Sequence, residues 1–222
     1  MASILKGDFS KYPEPIRKVF PRLAGEALYL QEQWRIYEDF FMLDPKRTET
    51  YSKSFGPLLG LLQTLLQDEL FLIISRLTDK DSRSQKNLSL WCLEEAIPFS
   101  KRQEFKAEVE NALNDIFATA ASLRKHRHKR IAHFDRETSL KLVALPKVSF
   151  RQINEVIVKI HSLLSLFYAE FENTSMLFDM ANSNLAGLAW IVALKIKAYD
   201  QLEAEGLIPK LEWLRREKGF KI

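Results

Sequence analysis

Leu58-Leu-Gly-Leu-Leu-Gln-Thr-Leu-Leu-Gln-Asp-Glu-Leu-Phe-Leu-Ile-Ile-Ser-Arg-Leu77 is the stretch on which the fold turns. Leu58, Leu59, Leu62, Leu66, Leu70, Ile73, Ile74 and Leu77 fall on nearly every side of a helix rather than along one stripe. A helix that is apolar all round belongs at the centre of a bundle, covered by other helices. Asp68, Glu69 and Arg76 are the polar residues embedded in it.

Working outward, Leu23, Ala27, Leu30, Trp34, Tyr37 and Phe41 recur at helical spacing over residues 22–43, and Asp44-Pro45 ends that helix. The next begins near Lys46 and runs into the central stretch, with Gly56-Pro57 the place where it can break. Downstream, residues 79–87 are polar and read as a loop. Residues 88–97 form a short apolar helix closed by Pro98, and Ser100 fits the N-cap of a long helix. Residues 138–148 stay ambiguous between an extended segment and a loop packed around Pro146. Ser149 followed by Gln152 is a capping-box pattern, opening a helix through Ile153, Val156, Ile160, Leu163, Leu164, Phe167 and Phe171. A last helix over residues 184–205 ends at Gly206 and Pro209. Residues 1–15, with Pro13 and Pro15, read as a lead-in, and residues 206–222 as a basic tail. Neither an internal repeat nor a dividing linker occurs. The expected fold is therefore all-α, one domain over residues 1–222, an up-and-down bundle with short connections.

Composition agrees. Hydrophobic residues make up 46% of the 222 and charged residues 28%, with 7 Gly and 8 Pro, which leaves little punctuation for β-turns. The single cysteine, Cys92, excludes an internal disulfide and sits between Trp91 and Leu93, where a thiol reads as a small core residue. Residues 1–9 lack the apolar region of a signal peptide, and the apolar run at residues 185–194 is too short to span a bilayer. The expectation is a cytoplasmic protein with no membrane partner. A net charge of +4 is only mildly basic, so the clustering of charge matters more than its sum.

That clustering falls at Ser122-Leu-Arg-Lys-His-Arg-His-Lys-Arg-Ile-Ala-His-Phe-Asp-Arg136, which holds three of the four histidines. Leu113, Ile116, Phe117, Ala120 and Leu123 lead in as the buried stripe of a helix. The same stripe continues onto Arg127, Ile131 and Phe134. An arginine in phase with the core demands a counter-charge. Asp68 or Glu69 on the central helix is one structural answer; an anionic ligand, phosphate above all, is the functional one. His126 and His128 point to different sides of a helix, and the surrounding cations repel a metal ion, so no metal and no cofactor is expected. Arg124, Lys125, Lys129 and Arg130 form the expected RNA-binding face, with an ordinary solvated face as the alternative.

Arg127-His-Lys-Arg-Ile-Ala-His133 resembles the motif of the HEPN superfamily, an arginine followed after four to six residues by a histidine. The resemblance is closest to the AbiU-like abortive-infection branch. It extends to Ile74-Ser-Arg-Leu-Thr-Asp79, to Asn87-Leu-Ser-Leu90 and to Arg130-Ile-Ala-His-Phe-Asp135. What it implies is an all-α HEPN-like fold and a metal-independent endoribonuclease acting in defence or as a toxin. A homodimer would join two motifs in one cleft, with an antitoxin protein as a further partner. His133 would be the acid/base group, Arg127 the phosphate clamp and His128 the polar residue flanking it. Attack by a ribose 2′-hydroxyl on the adjacent phosphate needs proton transfer and a cation, which imidazole and guanidinium supply. A non-catalytic HEPN-like interaction or dimerisation module is the alternative. On an ideal helix residues 127 and 133 lie about 120° apart. The motif therefore requires a helix end or kink near Ile131-Ala132, or convergence across a dimer.

Overall fold

A computed structural model of the chain describes residues 8–42, 44–80, 87–98, 103–132, 135–140, 142–174 and 185–207. Among them there is no strand. The α-helices are α1 (Glu14–Phe41), α2 (Pro45–Phe55), α3 (Pro57–Thr78), α4 (Trp91–Glu95), α5 (Gln103–Thr119), α6 (Ala121–His126), α7 (Arg136–Ser139), α8 (Phe150–Glu172) and α9 (Leu185–Ala204). Residues Arg127–Ala132, directly after α6, wind as a π-helix.

Two compact units divide the chain, the first made of residues 1–37 and 64–183, the second of residues 38–63 and 184–222. In the first unit the contacts give an up-and-down bundle. Glu26 of α1 pairs with Arg76 of α3, and farther along α1 Tyr37 accepts a hydrogen bond from Gln67 at 2.8 Å, so these helices are antiparallel. Phe20 meets Phe167 while Tyr37 meets Phe150, which makes α8 antiparallel to α1. Phe105 packs on Phe167 and Phe171 while Gln152 reaches Thr119, so α8 is antiparallel to α5 as well. The core between them holds Phe20, Leu30, Trp34, Leu70, Ile73, Ile74, Leu77, Leu123, Ile160 and Phe167, all buried. Burying side chains of this size contributes roughly 1.5–3 kcal/mol each.

Local signals explain the boundaries. Asp44 caps α2 by accepting from the Lys46 amide at 2.9 Å, with Pro45 in the first turn where its missing N–H costs nothing. Gly56, at φ +52°, breaks the chain between α2 and α3 as its sequence suggests. Ser149 caps α8 and Asn173 closes it in the left-handed region. α1 starts earlier than the sequence reading places it, because Pro15 is tolerated in a first helical turn. Ser100, the expected N-cap, and the tail beyond residue 207 lie outside the described residues.

The reading of residues 58–77 as covered on all sides needs correction. Leu66, Leu70, Phe71, Ile73, Ile74 and Leu77 are buried, but Leu58, Leu61 and Leu65 are exposed. The second half of α3 is core, whereas the first half buries Leu59 and leaves these three leucines exposed. By length and composition alone α3 is also able to cross a bilayer, which a reading that looks only to residues 185–194 overlooks. In the protein its apolar second half is bundle core and its charged residues Asp68, Glu69 and Arg76 are ion-paired.

The second unit has its own small aromatic core. Tyr51 is fully buried against Phe40, Phe55 and Trp190, and the Arg47 guanidinium lies 5.0 Å from the Trp190 ring centroid. Ser54 donates to the Ala193 carbonyl at 3.3 Å, tying α2 to α9.

Candidate nucleic-acid interface around Arg127

The buried stripe of α5 (Phe105, Val109, Leu113 and Ile116) continues through Ala120 and Leu123, as the spacing requires. The next position in phase is Arg127, and there the winding changes from α to π. Its guanidinium donates from Nη2 to Asp79 Oδ2 at 2.8 Å, with the two side chains 31% and 23% exposed. A pair at that depth is partly desolvated and partly screened by water. Its net stabilisation is therefore modest, while an unpaired Arg127 there would be costly. Asp68 and Glu69 are not its partners. Asp68 takes Arg130, and Glu69 lies 4.0 Å from Arg76, itself bonded to Glu26.

Asp68 and Asp79 stand roughly 16 Å apart along the α3 direction at a helical rise of 1.5 Å per residue. Arg127 and Arg130, on the facing segment, are at most about 5 Å apart on the same scale. The two arginine arms therefore splay in opposite directions along α3, and both ends of the basic segment are pinned to it. Its far end is clasped again, because Lys129 Nζ reaches Asp135 Oδ2 at 2.7 Å. Asp135 also caps α7 by accepting from the Thr138 amide at 3.0 Å. Those two donors hold the Asp135 carboxyl down at about 2, and the same contact raises Lys129 above its usual value.

The other basic residues are not equivalent. Arg124 turns inward, its guanidinium 3.6 Å from the Phe117 ring centroid and 3.4 Å from Thr78 Oγ1. Burial pushes it down from its usual value, against the pull of Asp79. Lys125 is exposed. Of the histidines, His126 is structural. It packs on Phe71 with centroids 5.4 Å apart, and its Nε2 lies 2.7 Å from the Pro146 carbonyl. A carbonyl only accepts, so Nε2 carries the proton. This contact anchors Pro146 in the segment beyond α7, where residues 142–149 are neither helix nor strand and Leu142 and Val143 are exposed rather than packed. His128 is exposed, and His133 lies outside the described residues. The winding departs from α geometry over Arg127–Ala132, the stretch that leads to His133. No group of three or more potential metal-ligating side chains occurs among the described residues.

Two features escape a sequence reading. Asp79 reads as the start of a polar loop rather than as a partner of Arg127. Phe117 and Arg124, seven residues apart, share a helix face, and that spacing was the available signal for their stacking.

The profile of a HEPN family described as AbiU2 matches residues 14–188, well over half of the chain. Neither a curated protein nor a solved structure matches it.

Proposed function

The chain belongs to the AbiU2 family of HEPN abortive-infection proteins, and on that premise we propose that it binds RNA along residues 124–136 and cleaves it without a metal ion. In this reading Arg127 clamps the scissile phosphate, His133 transfers the proton and His128 flanks the arginine. The observation that carries it is the placing of Arg127. This guanidinium is in phase with the core, held by a carboxylate yet still partly exposed, at the first residue of a π turn. π turns recur at functional sites, and a planar guanidinium is suited to bidentate contact with phosphate. Lys125, Lys129 and Arg130 add the positive field that draws RNA in. One imidazole can hardly remove and donate a proton in a single step, so a homodimer sharing two motifs completes the reading.

The experiment is cleavage of mixed-sequence RNA by wild type, His133→Ala and Arg127→Ala. His133→Ala is expected to lose turnover and keep RNA binding; Arg127→Ala is expected to weaken both. Cleavage that survives unchanged in His133→Ala would contradict the assignment.

A non-catalytic interaction module is the second reading. The exposed apolar residues of the second unit favour it, Leu58 and Leu61 on α3 and Leu188, Ile191 and Val192 on α9. RNA binding without any cleavage, together with association that Ile191→Glu abolishes, would support it.

A further inference from the structure

Three consecutive residues at the end of α3, Thr78, Asp79 and Lys80, hold two different kinds of side chain. Asp79 holds the Arg127 guanidinium at 2.8 Å. Thr78 accepts from Trp91 Nε1 at 3.2 Å through its carbonyl, and Lys80 lays its ammonium 3.9 Å from the Trp91 ring centroid. The same ammonium is 4.9 Å from Phe117, which meets Trp91 edge-on with centroids 6.1 Å apart. The Arg124 guanidinium covers Phe117 in turn. Trp91 and Phe117 are half-buried, and Lys80 is exposed.

We infer that Trp91 is a base-stacking subsite for single-stranded RNA, beside the phosphate position at Arg127. The inference rests on the proposed RNA-binding function and names a place where a nucleobase would sit. The indole plane is fixed by its N–H bond to Thr78, and among the described residues the group laid over its face is the ammonium of an exposed lysine, with Phe117 meeting the ring edge-on. An aromatic face is a sequence-tolerant platform for a base, and stacking there exceeds what an exposed ammonium gains. When a base takes the ring, the displaced Lys80 ammonium remains within reach of the phosphates on either side of it. Adjacent Cα atoms are about 3.8 Å apart, so residues 78–80 keep the ring and the Arg127 clamp close together along the chain. A partner without aromatic bases would use the cations and leave the indole unused.

The test compares 2′-O-methyl oligoribonucleotides, which resist attack by their own 2′-oxygen, with abasic oligomers of equal length and phosphate number. Wild type is expected to bind the base-bearing oligomer on the order of tenfold more tightly. Trp91→Phe and Trp91→Leu both lose the bond to Thr78, but only the phenylalanine keeps a π face. Trp91→Phe is expected to retain most of the preference and Trp91→Leu to lose it, with abasic binding unchanged in both. Equal behaviour of the two variants, or binding by wild type without base preference, overturns the subsite and leaves RNA binding standing. Failure of wild type to bind either oligomer overturns the RNA-binding reading, and the subsite with it.

Discussion

Arg127 was legible as an anomaly because the stripe through Leu113, Ile116, Ala120 and Leu123 runs straight onto it. Its partner was not. Asp79 stands one residue past the last turn of α3, where composition signals a loop, whereas Asp68 and Glu69 stand inside the helix and look like natural counter-charges. Distance along the facing helix decides such pairings, and a sequence does not carry it. At the same scale the Lys129–Asp135 clasp makes a pH prediction. Bonds from Lys129 and from Thr138 lower the Asp135 carboxyl from 3.8 to about 2. A depressed carboxyl contributes stability above its ordinary value and loses it as pH falls through the folded one. The clasp should therefore hold above about pH 4 and open as the pH approaches 2. Carbon NMR of the Asp135 carboxyl should show a midpoint near that lower value, moving up toward 3.8 in Lys129→Ala. A wild-type midpoint at the ordinary value would show that the contact does not form in solution.

At the level of elements, caps and periods were readable and changes of winding were not. Asp44-Pro45, Gly56-Pro57 and Ser149 each end or begin a helix where their chemistry says they should. The π-helix at Arg127–Ala132 has no proline or glycine to announce it; the spacing of the motif asked for a helix end or kink near Ile131-Ala132, or convergence across a dimer, and not for a change of winding that starts at Arg127. Half of the expected capping box is also absent. Ser149 Oγ accepts from the Gln152 amide at 3.1 Å, but the Gln152 side chain does not return to the cap. It donates instead to the Thr119 carbonyl at 2.8 Å and to Ser122 Oγ at 2.7 Å, fastening α8 to the junction of α5 and α6. Ser149→Ala should cost about 1 kcal/mol, as a lost cap does. Gln152→Ala removes two hydrogen bonds and should cost about 1–3 kcal/mol. Urea unfolding should show both losses as a shifted midpoint with unchanged slope. A Gln152→Ala protein as stable as wild type would mean that the junction is not fastened this way.

Across the molecule the all-α bundle followed from the apolar periods, because burying one face per helix leaves few other solutions. The division into two units did not, since residues 38–63 and 184–222 are far apart in sequence and no linker sets them off. At this scale the proposed reading calls for a homodimer that joins two motifs in one cleft. Sedimentation at micromolar concentration should give a dimer; a monomer would count against a shared two-motif cleft. The central claim is that the Arg127–His133 motif cleaves RNA through the substrate's own 2′-hydroxyl. It is tested most directly by incubating RNA and the matching DNA with wild type in excess chelator and identifying the product ends. The account predicts RNA fragments bearing 2′,3′-cyclic phosphate and 5′-hydroxyl termini, with the DNA intact. Cleavage that stops with the chelator, or DNA cut as readily as RNA, would contradict it.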